Sequence, residues 1–326
     1  MPLFSLMIAV HNAEPWLEAC LDSLLAQTEP RWQAICVDDC STDASRAILD
    51  RYAAADDRFM VIATPQNEGQ AKARNRAVPL LEGEWALMLD ADDWLSPDAL
   101  QLLLAAAQHH PAADSLAMRL VRTFPDGTEA ADDAFPDGTA WTGTEACRQS
   151  LARKLHGLYA VRTEFYRQWP FDDSARLYSD DNTAHQHFLH SQQVVQTAAK
   201  YYYRQHPDST THQWSPLRLC FLEANSSLRS MLEEEDAEGK LLRLAERWIW
   251  HNFVGIWRSF DAHRADLSEA ERRSAEERLE AALQAMRPLR LPLLDWLRPA
   301  YIFMRPLPVF EKWQRLLIRL KGRGKN

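Results

Sequence analysis

Leu87-Met88-Leu89-Asp90-Ala91-Asp92-Asp93-Trp94 is an apolar run that stops on three carboxylates and a tryptophan. Short apolar runs of this kind belong to sheet interiors. Acids at the carboxyl end of such a strand stand where open α/β sheets bind their ligands. If the backbone stays extended, Asp90 and Asp92 point to the same side, which lets two acids share a hard divalent cation with a phosphate oxygen. A plainer reading is a strand end, a polar turn, and a helix N-terminus at Ser96-Pro97-Asp98. The sequence on either side decides between them.

Upstream, Ser5-Leu6-Met7-Ile8-Ala9-Val10 reads as a strand that ends at His11-Asn12. Pro15 sits at a first helical position, with Leu17, Leu21, Leu24 and Leu25 at helical spacing. Ala34 to Val37 is a second short strand, ending on Asp38-Asp39, and Ile48, Leu49 and Tyr52 carry the next helix. Phe59 to Ala63 is a third strand, followed by a turn at Asn67-Glu68-Gly69 and a helix through Arg74. Strands alternating with helices imply parallel pairing, right-handed crossovers and a doubly wound α/β sheet. Polar groups cluster at the carboxyl ends of the first, second and fourth strands, so one crevice can collect them. Neither G-x-G-x-x-G nor G-x-x-x-x-G-K-[ST] occurs, which weighs against dinucleotide and P-loop sites.

Downstream, Ser115 to Arg122 reads as a strand, and Phe124 to Thr128 and Phe135 to Thr139 repeat a Phe-Pro-Asp-Gly-Thr turn signal. A helix is expected over Thr144 to Leu155, then a strand over His156 to Val161. Asp180 and Asp181 open a further helix, where the macrodipole alone favours acids. Gln192 to Tyr203 reads as the last strand. From about Pro216 the pattern is helical, with a boundary near residues 210 to 216. Trp248, Trp250, Phe253, Val254 and Trp257 form a broad stripe suited to helix packing, and Ser268 to Glu271 is a capping box.

Composition narrows the classes. The 326 residues are 46% hydrophobic and 25% charged, with a net charge of -9, which argues against general nucleic-acid binding. Five cysteines lie apart without a C-x-x-C pair, which suits a reducing cytosol better than a zinc site or disulfide framework. The apolar start runs straight into His11-Asn12 and reads as a strand, not a signal peptide. No apolar run approaches the ~20 residues of a spanning helix. The charge is uneven: from Arg287 to Asn326 ten Lys/Arg stand against two acids, among many Trp, Leu and Phe. Val309 to Lys321 is expected to form a basic amphipathic helix, either on an anionic leaflet or packed on protein.

Residues 3 to 212 closely resemble the inverting, nucleotide-sugar-dependent glycosyltransferases of family 2, which have the GT-A fold. The blocks that carry the likeness are Ser5 to Asn12, Leu21 to Thr28, Val37 to Asp43, Asn67-Glu68-Gly69 with Ala73-Arg74-Asn75, Glu82 to Asp93, Ser179 to Asn182 and Tyr201 to Ser209. They stand in the family's order. The resemblance implies a mixed doubly wound sheet over residues 1–212, with a nucleotide-binding half (1–94) and an acceptor-side half (95–212). The helical region, 213–326, lies outside it.

The resemblance also implies roles. Ala9, Val10 and Asn12 line a base pocket, and Asp39, with Asp38 beside it, accepts the base N–H of a uridine nucleotide. Arg74 faces the nucleotide and pyrophosphate. Asp90, next to Ala91, addresses the ribose. Asp92, with Asp93 and His206, holds Mn²⁺ or Mg²⁺ on the diphosphate. Asp181 is the base that takes the acceptor proton, with Asp180 orienting it. Cys40 and Ala77 replace glycines of the family pattern, and Asp180 replaces a glutamate. The implied activity is transfer of a hexose or N-acetylhexosamine from a UDP-sugar to a glycan or lipid-linked acceptor in bacterial surface polysaccharide synthesis. The basic, aromatic tail, outside the resemblance, adds the expectation of a cytoplasmic enzyme with peripheral contact to the inner membrane face through residues 296–325. A GDP- or dTDP-sugar donor, a polyprenyl-phosphate acceptor and a catalytically silent sugar-nucleotide or glycan-binding module are the alternatives.

Overall fold

The computed structural model describes residues 2–132, 134–206, 214–291 and 306–322. Pro207 to Ser209, Trp296 to Arg305 and Arg323 to Lys325, which figure in the readings above, lie outside the described residues. The chain divides into two compact units, Met1–Gln213 and Trp214–Asn326.

The first unit is built on a ten-stranded mixed sheet. Its parallel half runs in the order β3 (Phe59–Ala63), β2 (Trp32–Asp38), β1 (Phe4–Val10), β4 (Trp85–Met88). Six of the seven β1 residues are buried, as a central parallel strand covered on both faces requires. Helices α1 (Glu14–Leu25), α2 (Ser45–Ala55) and α3 (Gln70–Ala77) make the crossovers. Leu17, Cys20, Leu21 and Leu24 turn one α1 stripe into the core formed with Phe4, Leu6, Ile8 and Val10.

The other half departs from all-parallel winding. After β4 the chain crosses to the far edge of the sheet as β5 (Trp94–Leu95), followed by α4 (Ala99–His109) and β6 (Ala113–Thr123). The short strands β7 (Glu129–Ala131) and β8 (Ala140–Trp141) then lead to α5 (Gly143–Leu151), β9 (Tyr159–Arg162), α6 (Thr163–Gln168), α7 (Asp180–His190) and β10 (Gln193–Arg204). β9 lies antiparallel between β4 and β6, and β10 is parallel to β6. The pairing that matters most for function is β5 with β10, antiparallel, with Trp94 opposite Tyr202. It obliges the residues after β10 to run back beside those before β5, so Arg204 to His206 meet Asp92 and Asp93.

Two local expectations change. α5 ends at Leu151, four residues early, because Arg153 takes a left-handed backbone, φ 60°, that a helix cannot continue through. β4 ends at Met88, and Asp90 to Asp93 form a turn closed by Asp93 N–H donating to the Asp90 carbonyl at 3.1 Å. The extended backbone that would aim Asp90 and Asp92 alike is therefore absent there.

The second unit is helical: α8 (Cys220–Glu234), α9 (Gly239–His263), α10 (Glu269–Ala285) and α11 (Leu307–Gly322). Phe253 and Trp257 of the aromatic stripe are buried with Ile249, Ile256, Phe260, Leu279, Leu283 and Phe310, so the stripe is packing core. The Ser268–Glu271 capping box forms as the sequence indicates.

Gly83 sets the approach of β4 to β1. A Cβ there would lie 2.8 Å from the Phe4 carbonyl carbon and the Ser5 nitrogen, both backbone atoms, while Gly83 N–H donates to Ser5 Oγ at 2.8 Å. Gly83→Ala is expected to cost about 1–3 kcal/mol of stability. An unfolding midpoint equal to wild type in denaturant titration would contradict the close packing.

Candidate active site

At the carboxyl ends of β1 and β2, Val10 is paired with Asp38 in register, and Ala9 with Val37. Asn12 takes a left-handed backbone, φ 51°, and its Oδ1 accepts from Thr42 N–H at 2.8 Å. Asp38 Oδ1 accepts from Ser41 N–H at 3.0 Å. Cys40 sits at φ 61°, the left-handed region that glycine adopts freely. The turn expected of a glycine is thus kept at the expense of backbone strain.

Asp39 is buried and already engaged. Its Oδ1 accepts from Thr64 Oγ1 at 2.7 Å and Glu68 N–H at 2.9 Å, and its Oδ2 from Gly69 N–H at 2.8 Å. Gly69 has φ +88°, and a Cβ there would lie 3.0 Å from the Arg176 carbonyl oxygen. Asp39 therefore anchors the segment that leads into α3, the helix that delivers Arg74.

Arg74 is 1% exposed and pairs with Asp90 through Nη2. Its Nη1 lies 3.9 Å from Asp180 Oδ2, and the guanidinium stands over the Phe171 ring, 5.5 Å from the centroid. Among the described residues Nε and Nη1 have no hydrogen-bond partner. A buried charge is tolerable only when countercharges surround it, and here two acids from different elements do so. Burial pushes the Asp90 carboxyl up, Arg74 pulls it down and Asp92 raises it again.

The turn separates the acids that follow. Asp92 Oδ2 is 3.0 Å from His206 Nε2, and the His206 ring lies against Trp16 at 4.1 Å between centroids. Among the described residues His206 Nδ1 is buried without a partner. Asp93 faces the interior instead: it is 0% exposed and accepts from Arg204 N–H at 2.8 Å. Burial first, then the charges of Asp90 and Asp92, push it up to about 9. The structure thus brings His206 to Asp92 and leaves Asp93 as an uncharged packing group. Ala91 is buried as well.

Asp180 and Asp181 open α7. Asp180 Oδ2 accepts from Gln70 Nε2 at 3.4 Å; burial, then the neighbouring Asp181 charge, raise its carboxyl to about 6, with Arg74 opposing them. Asp181 is exposed, with Arg153 Nη1 3.7 Å from its Oδ2. Arg153, Trp16 and Gln70 escape a reading of the sequence, because a surface arginine, an amphipathic-helix tryptophan and a turn glutamine carry no motif. Tyr201, whose hydroxyl accepts from Asp90 N–H at 3.0 Å, is visible only as part of an aromatic strand.

Arg74 therefore joins Asp90 to Asp180, with Asp181 next along α7 and the Asp92–His206 pair two residues beyond Asp90. Residues 5–163 match the family model Glycosyl transferase family 2. That stretch carries a family 2 glycosyltransferase domain. Among curated proteins, the chain is 40% identical over 100 residues to the putative teichuronic acid biosynthesis glycosyltransferase TuaG of Bacillus subtilis, covering 31% of this chain and 40% of that one. It is 41% identical over 99 residues to the poly(ribitol-phosphate) beta-glucosyltransferase of Bacillus spizizenii, covering 29% and 16%. The matched stretch is thus less than half the length of either relative. Among solved structures, S. aureus TarS 1-349 in complex with UDP-GlcNAc superposes with a TM-score of 0.67 at 20% identity, over 89% of this chain and 83% of that one. The mannosyltransferase PcManGT of Pyrobaculum calidifontis, in complex with GDP-Man and Mn²⁺, gives 0.53 at 17% identity, over 89% and 82%. Both carry the mixed GT-A-type fold described above. No helix among the described residues is long and apolar enough to cross a membrane.

Because folded Asp93 keeps a proton that the unfolded chain releases, stability falls as pH rises from about 4 to about 9. Asp93→Asn is expected to flatten that decline and raise the melting temperature at mildly alkaline pH. A lower melting temperature there would contradict an uncharged Asp93.

Proposed function

We propose that the first unit transfers a sugar from a nucleotide-diphosphate sugar, a UDP-hexose or UDP-N-acetylhexosamine, to a hydroxyl of a glycan or lipid-linked acceptor in bacterial surface polysaccharide synthesis, with inversion at the anomeric carbon. The observation that carries this reading is the buried Arg74 placed between Asp90, which follows β4, and Asp180, which opens α7 beside Asp181, with the Asp92–His206 pair two residues beyond Asp90. Names of the relatives support it, with teichuronic acid and poly(ribitol-phosphate) among their products or acceptors and UDP-GlcNAc bound to a protein of the same fold. Residues 1–94 form the nucleotide-binding half, 95–212 the acceptor side, and 213–326 an appended helical region.

The chemistry follows from the placement. Asp181, exposed at the start of α7, takes the proton of the acceptor hydroxyl as its oxygen bonds to the anomeric carbon. The bond from that carbon to the diphosphate breaks, its electron pair leaving on the phosphate oxygen. No enzyme nucleophile is needed. Asp180, held by Arg74 and Gln70, fixes the start of α7 and so orients Asp181. Ala9, Val10, Asn12, Asp38 and Asp39 border the base, and Asp90 the ribose.

Among the described residues no three His, Cys, Asp or Glu side chains converge on a metal position. A carboxylate oxygen and an imidazole nitrogen, Asp92 Oδ2 and His206 Nε2, 3.0 Å apart nevertheless form a donor pair of the kind a divalent ion takes. Asp92 and His206 would hold Mn²⁺ or Mg²⁺, which neutralises the charge developing on the departing diphosphate.

Asp181→Asn is expected to lower acceptor transfer by about a hundredfold or more while leaving nucleotide-sugar affinity unchanged, as read by product formation and calorimetry. Full transfer in this variant would refute the base assignment. Nucleotide binding without turnover of any UDP-, GDP- or dTDP-sugar in the wild type would mean a binding module instead.

Turnover is also expected to fall as pH drops through about 6, where Asp180 gains a proton and Arg74 loses a countercharge. Asp180→Asn should remove that limb of the pH–rate profile. An unchanged profile would assign the limb elsewhere.

A further inference from the structure

The second unit presents a surface that sugar transfer does not use. On α11, Leu307, Phe310 and Gln314 turn inward, and Leu307 and Phe310 join the core with Phe253, Ile256 and Trp257. Phe310 packs edge-on to Trp257 at 5.3 Å. This face secures the helix to its own unit. A second face, around the helix from the first, is also apolar: Val309, Trp313, Leu316 and Leu320 follow the 4, 3, 4 spacing that lines up one side of a helix, and all four are exposed, Trp313 by 40% and Leu320 by 57%. Ile318 is exposed off this line.

Lys312 and Arg319, both exposed, flank the line on one side. Arg315 is tied back to Asp261 at 2.6 Å. The stripe belongs to a stretch, Arg287 to Asn326, with ten Lys/Arg and two acids in a chain whose net charge is -9.

An exposed apolar line with a central tryptophan and a basic margin matches a bilayer interface, where the apolar side chains enter the acyl boundary and the cations meet anionic headgroups. A protein partner would need a complementary acidic groove; a bilayer needs only negative charge. We propose that the Val309–Trp313–Leu316–Leu320 face of α11 docks flat on an anionic lipid surface, with Lys312 and Arg319 on headgroup phosphates. The sequence alone leaves two alternatives open, a membrane helix or a packed helix; the two faces of α11 allow both at once. Docking is read without turnover, so it stands or falls apart from the transferase reading.

The test is flotation of the full-length protein with vesicles of phosphatidylcholine alone or mixed with phosphatidylglycerol. Wild type should float with the anionic vesicles, weakly with the neutral ones, and less as salt rises. Trp313→Glu with Leu316→Glu, at exposed positions that leave the core intact, should weaken partitioning about tenfold or more, and Lys312→Glu with Arg319→Glu by a similar factor. Met60→Glu, an exposed apolar position in the first unit, should float as wild type. Wild type that stays with the soluble fraction would overturn the proposal, as would a Trp313→Glu/Leu316→Glu protein that floats like wild type. A wild-type dimer in light scattering that this double variant converts to monomer, with no vesicle binding, would reassign the face to a contact between copies of the chain.

Discussion

The candidate site depends on one buried cation. Arg74 is delivered by α3 into the interior of the first unit, where it faces Asp90 from the end of β4 and Asp180 from the start of α7. Removing one partner of such a group leaves an uncompensated charge, at about 3–5 kcal/mol. The arginine therefore requires both acids, and so ties the segment after β4 to the start of α7. Asp39 works one step further back. By accepting from Glu68 and Gly69 N–H groups it fixes the turn before α3 and so the position from which Arg74 reaches inward.

Sheet topology supplies the second constraint. Once Trp94-Leu95 pairs antiparallel with Tyr201-Tyr202, the chain following β10 has to return alongside Asp92. His206 reaches Asp92 by that route, and Arg204 closes the same corner, donating its N–H to Asp93 and its Nε–H to the Asp92 carbonyl at 2.8 Å. Residues more than a hundred positions apart become neighbours through one two-residue strand.

Much of this was legible in the sequence. β1, β2 and β4 could be seen because uninterrupted apolar runs have few alternatives to a buried parallel strand. The acids at their ends stood out because charge does not otherwise follow such runs. The division of labour among Asp90, Asp92 and Asp93 was not legible: it depends on a turn closed by a backbone hydrogen bond, which reverses the alternation an extended strand would impose. The hidden role of Asp93 follows from the same turn. The early end of α5 was likewise out of reach, since nothing in Ala152-Arg153-Lys154 announces a left-handed residue. Cys40 is the reverse case: loss of a familiar glycine counts against the turn after Asp39, yet the structure keeps the positive φ there.

Whether Arg74 couples the two sides of the cleft is most directly measured by a double-mutant cycle. Arg74→Lys and Asp180→Asn, each conserving size, would be compared singly and together for turnover at saturating nucleotide-sugar. Coupling through the guanidinium requires the double variant to lose much less than the product of the single losses, a difference of about 1 kcal/mol or more. Strictly multiplicative losses would show that Arg74 and Asp180 act independently and would contradict the shared ion-pair centre.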